Sequence, residues 1–387
     1  MSRTRLGVLV SHPIQYYVPL YRKISESNKL DICVYFMTNF GVTEDFDEEF
    51  SRHIKFDIPL LSGYRFKILE NLSLRKNHKK FFGMINFGIV TIVKNRIDVL
   101  IIHGWNSFTS IIAMLACIIF RKKYYLRSDS NSVDLNRSAN WKIRILRFLK
   151  GLLIVPLLKK ATGVMAIGIR NKEYFLALGV PADKIYWVPF SIDDQRFSKD
   201  LEKKKISQKK FKSKYSLRQD DLIYLYSGKF IDKKGLLNFV KAFKEFNKGV
   251  LFLVGDGPMK VELELLTQDT SIVHFAGFVN QLEITQYYLA SDFIVLPSKI
   301  EPWGLCINEG IAAGCIPIVS NVCGCAPELV ETTSNLIFNS NDSISILEVL
   351  NNSLELIYND SIAKKLKHIS SLISLDATVK AIEDILL

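Results

Sequence analysis

The sequence predicts an α/β fold made of two doubly wound parallel sheets. Short apolar runs rich in β-branched residues alternate with helical patterns, which is typical of parallel strands that helices cover on both faces. A basic, polar stretch at 196–220 interrupts this alternation, which then starts again. The 387 residues are enough for two domains, since domains of roughly 150–200 residues are common.

Each half of the chain contributes its own series of strands. In the first half we predict buried strands at 6–10, 30–37, 97–104, 123–130, 161–168 and 184–190. In the second half the predicted strands lie at 222–228, 250–257, 271–278, 292–298 and 316–320. We therefore expect Rossmann-like domains at 1–190 and 191–370, and a C-terminal helix at 371–387 that can pack back on the first domain. Ligands of such sheets bind at the carboxyl ends of the strands, so a site is expected in a cleft between the domains.

No segment is predicted to cross a membrane. The apolar run at 107–120 has 14 residues, which is shorter than the ~18–20 of a spanning helix. We interpret it as a buried helix. The amino terminus lacks the pattern of a secretory signal peptide, so a cytoplasmic protein is expected.

The formal net charge is +12, and the cations concentrate at 75–80, 141–160 and 202–214. A basic surface favours phosphates, whether of a nucleotide, a nucleic acid or an anionic lipid. In 141–160 the cations alternate with Trp, Ile, Leu and Phe. This pattern fits a helix on an anionic membrane, and it equally fits an ordinary helix that packs one face inward. A non-enzymatic nucleic-acid-binding protein is an alternative, but no helix-turn-helix or aromatic–basic RNA pattern is present.

The cysteines and acidic residues do not predict a metal site. Four of the six cysteines lie within 306–325, but no C-x-x-C pair occurs, and one residue separates Cys323 from Cys325. Buried, reduced thiols are the expected state. The acidic DFD at 45–47 is interpreted as part of a loop rather than as metal ligands.

The stretch SKIEPWGLCINEGIAAG, residues 298–314, contains two glutamates eight positions apart, Glu301 and Glu309. A proline follows Glu301 and disfavours the helical region there, which keeps Glu301 on a loop above the sheet. A helix is predicted to begin near 304–305, where Gly304 permits close backbone approach and free amides suit a diphosphate. Glu309 lies about one turn inside this helix. The pattern predicts one carboxylate for a sugar, amides for phosphates, and one carboxylate for a ribose.

These residues resemble the motifs of retaining GT-B glycosyltransferases of family 4, of the bacterial surface-polysaccharide or lipopolysaccharide type. Residues 301–330 resemble the E-x7-E signature of that family. YSGKFIDKKG (226–235) resembles its G-[KR]-x…K-G segment, LVGDGP (253–258) its G-x-G-P turn, and FAGFV (275–279) its G-x-V segment near the base. HPIQYY (12–17) resembles the first loop of a surface-polysaccharide subset, and the resemblance covers nearly the whole chain.

The resemblance implies three catalytic residues. Glu301 would contact hydroxyls of the donor sugar, while Lys229 and Lys234 would stabilise the leaving nucleoside diphosphate, where charge grows in the transition state. No metal is then required. Glu309 would contact the ribose, and the other expected donor-binding residues are Gly228, Gly255, Gly257, Pro258, Phe278, Val279, Trp303, Gly304 and Leu305. No cofactor is expected, and a UDP-sugar is favoured over a GDP-sugar.

The first domain departs from the family pattern, because SHPIQ stands where many members have Gly-Gly. The candidates for the acceptor side are His12, Gln15, His103, Arg127 and Asp129. Each histidine lies at a predicted strand end, where a structural, hydrogen-bonded role is the alternative. Trp303 and Trp105 either stack on a sugar or pack in the protein.

The implied function is a retaining, metal-independent hexosyltransferase of cell-surface polysaccharide synthesis. It would move a sugar from a nucleoside diphosphate sugar to a lipid-linked or growing saccharide, on the inner face of the cytoplasmic membrane, with 141–160 contacting the anionic surface. No nucleic-acid partner is expected. A sugar-nucleotide epimerase on the same fold is the alternative enzyme.

Overall fold

The computed structural model describes residues 3–42, 45–47, 50, 52–54, 56–131, 151, 154–197, 201–357 and 359–387. The chain forms two compact units. Unit 1 contains 1–45, 59–190 and 375–387, and unit 2 contains 46–58 and 191–374. The short segment 46–58 therefore leaves unit 1 to join unit 2, which no sequence pattern predicted.

Unit 1 is built on a parallel sheet. Its strands are β1 Thr4–Val10, β2 Leu30–Phe36, β5 Phe66–Ile68, β6 Val99–His103, β7 Lys123–Arg127, β8 Gly163–Ala166 and β9 Ile185–Trp187. Its helices include α1 Val18–Ser25, α2 Gly88–Asn95, α3 Phe108–Ile119, α4 Ile169–Ala177 and the helix α13 Leu375–Leu386. The strand order is β5-β2-β1-β6-β7-β8-β9, with parallel pairing throughout the described residues.

Unit 2 contains a second parallel sheet. Its strands are β10 Ile223–Ser227, β11 Val250–Val254, β12 Val273–Gly277, β13 Phe293–Leu296, β14 Ile316–Ser320 and β15 Ile337–Phe338, in the order β12-β11-β10-β13-β14-β15. Its helices are α5 Asp194–Phe197, α6 Leu201–Lys214, α7 Leu236–Phe246, α8 Lys260–Thr267, α9 Ile284–Ala290, α10 Leu305–Ala312, α11 Ser343–Ser353 and α12 Asp360–Leu372. Two short strands, β3 Asp45–Asp47 and β4 Arg52–Ile54, pair in a sheet of their own.

The strand order creates one switch point in each sheet. In unit 1 the chain order reverses between β1 and β6, and in unit 2 it reverses between β10 and β13. Helices that cross to opposite faces separate at such a point and leave a crevice at the carboxyl ends of the strands. The residues after β1, β6, β10 and β13 are thus in position to form sites.

Most predicted elements are confirmed, with local exceptions. Each predicted strand overlaps an observed strand, but β4, β5, β15 and α1 were missed, because two- and three-residue strands and one eight-residue helix carry little periodic signal. The prediction of a loop at 45–47 was wrong, since these residues form β3. The helix predicted at 107–120 is α3, but it is not fully buried, because Leu115 and Ile119 are exposed on one face.

The described part of the chain contains no helix with the length and apolar character needed to cross a bilayer. The stretch predicted to contact a membrane, 141–160, lies largely outside the described residues, which omit 132–150 and 152–153.

Candidate functional site

Lys234 and Glu301 meet at the switch point of unit 2. Lys234 ends a short helical turn, Asp232–Lys234, after β10, and Glu301 lies on the loop after β13. The Lys234 ammonium and the Glu301 carboxylate form a hydrogen-bonded ion pair. Ser298 Oγ also donates to Glu301 Oε2 at 3.3 Å. Two of the three predicted catalytic residues are therefore in direct contact.

The environment keeps Lys234 charged. Burial by itself would lower the pKa of Lys234, but the charge and hydrogen bond of Glu301 outweigh burial, and the pKa is raised. A partly buried ammonium with three donors suits a phosphate oxygen, and its preorganisation costs no rearrangement during a reaction. The pair is thus a cation held ready beside a carboxylate that can accept from sugar hydroxyls.

Glu309 lies deep in unit 2, on α10. Its Oε2 accepts from the Tyr288 hydroxyl at 2.5 Å, and its Oε1 lies 3.9 Å from the Arg196 guanidinium. Burial raises the pKa of Glu309 to about 7, although Tyr288 and Arg196 both act to lower it. Arg196 also donates to Gln281 at 2.9 Å. Sequence reasoning missed Tyr288, Arg196 and Gln281, because residues so distant along the chain share no motif with Glu309.

The loop that carries Glu301 ends at Gly304, directly before α10. Gly304 is the residue before the helix and has φ +105°. This is a left-handed backbone conformation that residues other than glycine rarely adopt. Leu305 is the first residue of α10, which confirms the predicted helix start. Trp303 is buried, and its indole Nε1 donates to Asn308 at 2.9 Å. Trp303 therefore packs inside the protein, and of its two predicted roles the structure supports the packing one.

The loop after β11 packs directly on the loop after β10. Gly255 has φ +148°, and a Cβ there would lie 1.8 Å from the carbonyl oxygen of Gly228. At Gly257 a Cβ would lie 2.6 Å from the carbonyl oxygen of Phe230. These glycines let two backbone segments touch beside Lys229. Pro258 is exposed, and Phe278 and Val279, after β12, are partly exposed.

Segment 46–58 contacts these same loops within unit 2. The Lys229 ammonium lies 4.7 Å from the centre of the Phe50 ring, and the Arg52 guanidinium lies 4.7 Å from the centre of the Phe278 ring. Arg52 is also 3.9 Å from the carboxylate of Asp256. Sequence reasoning missed Phe50 and Arg52, since nothing in the region 45–54 marks it as part of the second sheet's surroundings.

The acceptor-side candidates lie in unit 1, at the ends of β1, β6 and β7. The His103 ring lies 4.5 Å from the Tyr17 ring, and its Nδ1 is buried with no hydrogen-bond partner among the described residues. Burial and the charge of Arg127 lower the pKa of His103 to about 3, and burial with His78 lowers that of His12 to about 4. Both rings are neutral at pH 7. Gln15 Oε1 is also buried and unpaired in the described structure.

Arg127 has a structural role that the sequence did not predict. It is only 2% exposed, and its guanidinium donates to the carbonyls of Val188 at 3.0 Å and Pro189 at 2.7 Å. Burial lowers the pKa of Arg127. Arg127 thus fixes the backbone at Val188 and Pro189. Asp129, two residues after Arg127, is exposed.

The six cysteines are all free, as predicted, although Cys33 and Cys306 are only partly buried. Within the described residues, no group of three or more His, Cys, Asp or Glu side chains is placed to hold a metal ion.

The region around this site is similar to known proteins. Residues 207–368 match the family model described as glycosyl transferases group 1. An uncharacterized glycosyltransferase of Methanocaldococcus jannaschii is 29% identical over 161 residues, which are 40% of each chain. The lipopolysaccharide core biosynthesis glycosyltransferase LpsD of Rhizobium meliloti is 30% identical over 130 residues, 33% of this chain and 37% of the relative. The chain thus spans well under half the length of these two relatives.

Solved structures match over the full chain. HepE from Anabaena in complex with UDP superimposes with a TM-score of 0.72 at 16% identity, over 99% of each chain. Sucrose-phosphate synthase from Thermosynechococcus elongatus gives a TM-score of 0.70 at 17% identity, over 99% of this chain and 98% of that one. These likenesses show the fold, and the chain has the two-sheet GT-B architecture that the sequence predicted.

Proposed function

We propose that this protein is a glycosyltransferase that uses a nucleoside diphosphate sugar as donor. The observation that carries the proposal is the partly buried Lys234–Glu301 pair at the switch point of unit 2, inside the region that matches group 1 glycosyl transferases. A phosphate-binding cation and a sugar-binding carboxylate stand together where ligands of such sheets bind. The UDP complex of the Anabaena relative supports a nucleotide donor.

The proposed donor site assigns a part of the donor to each residue. Lys234 and Lys229 bind the diphosphate, Glu301 binds sugar hydroxyls, and Glu309 accepts from the ribose once Tyr288 yields its hydrogen bond. The amides at the start of α10, from Leu305 onward, add to the phosphate site. We favour a UDP-sugar over a GDP-sugar and propose that no metal takes part.

The proposed reaction retains the configuration of the sugar. The acceptor oxygen attacks the anomeric carbon from the face on which the diphosphate leaves. The bond from that carbon to the phosphate oxygen breaks, and its electron pair goes to the phosphate. The acceptor hydroxyl gives its proton to the same phosphate oxygen, and the lysines stabilise the charge that grows there.

We further propose that the acceptor is a lipid-linked or growing saccharide of a cell-surface polysaccharide. The lipopolysaccharide enzyme of Rhizobium meliloti among the relatives supports this class. The protein would then work at the cytoplasmic face of the membrane, where 141–160 is a proposed contact with anionic lipid. His12, Gln15, His103 and Asp129 in unit 1 remain the candidates for acceptor contacts.

Donor turnover tests the proposal. Purified protein is incubated separately with UDP-, GDP-, dTDP- and CMP-sugars and a membrane lipid extract, and released nucleotide is quantified beside Glu301→Ala. We expect lipid-dependent release from one donor, and none from the variant. Conversion of a donor to its epimer without any acceptor would instead establish the epimerase alternative, and no turnover with any donor or extract would contradict the transferase.

A further inference from the structure

A loop of unit 1, residues 72–87, exposes large apolar side chains to solvent. The exposed fractions are 54% for Leu72, 103% for Leu74, 64% for Phe82 and 53% for Phe87. Among the described residues, 18 large hydrophobic side chains are exposed, and six of them lie between 66 and 87. Such a concentration, unlike scattered single residues, marks an interaction surface. We call residues 72–87 the apolar–basic loop.

Hydrogen bonds close the base of the apolar–basic loop. Leu72 N donates to the carbonyl of Ile85 at 2.9 Å, and Ser73 Oγ donates to the carbonyl of Phe82 at 2.7 Å. Asn86 is fully buried and donates to the carbonyl of Glu70 at 2.8 Å. The base is therefore anchored in the core, and the exposed side chains project from an ordered support.

The tip of the loop is strongly cationic. Four exposed cations, Arg75, Lys76, Lys79 and Lys80, lie between Leu74 and Phe82, and no Asp or Glu occurs from 71 to 88. Apolar side chains flanked by cations fit the interface of an anionic bilayer, where the chains enter the boundary layer and the cations meet lipid phosphates. A protein partner would need acidic residues around an apolar pocket, whereas a bilayer supplies both features over any area.

We propose that the apolar–basic loop docks unit 1 on anionic lipid bilayers. The loop lies in a different part of the sequence from 141–160, and the docking proposal does not depend on the catalytic one. Docking also has a consequence for the acceptor side. His78, in the loop, stacks on Phe40 with ring centres 3.9 Å apart, and its ring lies 5.0 Å from that of His12. A bilayer bound at the loop would thus lie next to an acceptor-side candidate, which suits a lipid-linked acceptor.

Vesicle co-sedimentation tests the docking surface. Full-length protein is mixed with vesicles of phosphatidylcholine alone, or with about one third phosphatidylglycerol. We expect binding only to the anionic vesicles, with weakening in high salt. Leu74→Ser with Phe82→Ser, and separately Lys79→Glu with Lys80→Glu, should each lower the partition coefficient about 10-fold or more. Thermal unfolding of each variant should match the wild type, because these side chains are exposed.

Two matched variants in unit 2 serve as controls. Lys209→Glu with Lys210→Glu reverses two exposed cations of α6, and Val261→Ser with Leu265→Ser removes two exposed apolar side chains of α8. Both should bind vesicles like the wild type. Full binding by the loop variants, or an equal loss in the α6 variant, would overturn the proposal. Retention of RNA or a self-association that the loop variants abolish, without vesicle binding, would overturn it too.

Discussion

At the residue scale, Lys234 and Glu301 form an ion pair in a mostly buried position of unit 2, and the carboxylate raises the pKa of Lys234 against the effect of burial. Removing one partner of a buried pair leaves an uncompensated charge and costs roughly 3–5 kcal/mol of stability. Loss of activity in a single variant could therefore reflect unfolding. Replacing both partners at once removes the charges without leaving one of them unpaired, and so separates the effect on turnover from the effect on stability.

We predict that Lys234→Met combined with Glu301→Gln folds with near-normal stability but loses at least ~10²-fold in turnover, because the charges act on the donor. Chemical denaturation and donor turnover check the two parts. The control is Lys299→Ala, which breaks the exposed pair of Lys299 with Asp232 at 2.6 Å. This control should change neither the stability nor the donor turnover much. Normal turnover in the double variant would refute the roles assigned to Lys234 and Glu301.

Glu309 should make stability depend on pH. Its pKa is raised to about 7 in the folded protein, so the folded state holds this proton more tightly than the unfolded chain. The stability linked to the proton is complete below the unfolded pKa, near 4.5, and is lost as pH rises through about 7. Relative to Glu309→Gln, the free energy of unfolding of the wild type should fall by on the order of 1–3 kcal/mol between pH 4.5 and pH 7.

Urea unfolding of both proteins from pH 5 to 8.5 measures this difference. Tyr288→Phe removes the hydrogen bond that favours the charged carboxylate, so the loss should move to higher pH. A difference between wild type and Glu309→Gln that stays constant with pH would show that Glu309 keeps its ordinary pKa.

At the scale of elements, the contact between the loops after β10 and β11 shapes the proposed phosphate site. We predict that Gly255→Ala costs about 2–4 kcal/mol of stability and weakens nucleotide binding, because the added Cβ would meet a carbonyl oxygen of the backbone at 1.8 Å. Gly88→Ala is the control, since a Cβ there meets nothing within 4 Å. Denaturation and UDP titration check both, and equal stability of the two variants would contradict the close contact.

Segment 46–58 should contribute to donor binding. Arg52 lies against Phe278, which belongs to the segment proposed to lie near the base. We predict that Arg52→Ala raises the KM for the donor about 10-fold with little change in kcat, as expected for a contact present in ground and transition states alike. Arg218→Ala, an exposed arginine paired with Asp221 at 3.0 Å, is the matched control. An unchanged KM would place Arg52 outside the donor site.

For the molecule as a whole, unit 1 contains a helix that follows unit 2 in the sequence. Helix α13 belongs to unit 1 and buries Leu375, Ile382 and Leu386. Ser27 and Lys29 both bond to Glu383, the latter at 2.9 Å. Helix α13 therefore helps to hold unit 1 together.

We predict that a chain ending at Ser374 loses on the order of 5 kcal/mol of stability in unit 1, from the exposure of three large apolar side chains and the surface they cover. Hydrogen exchange should show lost protection in β1 and β2 and preserved protection in β10 and β11. Asp376→Asn, which removes only an exposed ion pair with Lys23, should behave like the wild type. Unchanged protection in the truncated chain would mean that α13 contributes little.

The strands illustrate what a sequence can predict. The residues of β10 and β11 are nearly all buried, so their apolar runs were visible without any structure. The turn before α10 was equally visible, because Pro302 and Gly304 restrict the backbone locally. By contrast, β3, β4 and β5 have three residues each, too few for a periodic pattern.

The amino-acid pattern was enough to predict the two-sheet fold, the start of α10 and the residue types of the candidate site, because burial and backbone restriction act over a few neighbouring residues. Which of those residues meet depends on tertiary packing. It paired Lys234 with Glu301 across 67 positions, placed Tyr288 and Arg196 on Glu309, and brought Phe50 and Arg52 into unit 2. Such contacts depend on where distant loops converge at the sheet's edge, and that convergence leaves no periodic trace in the chain.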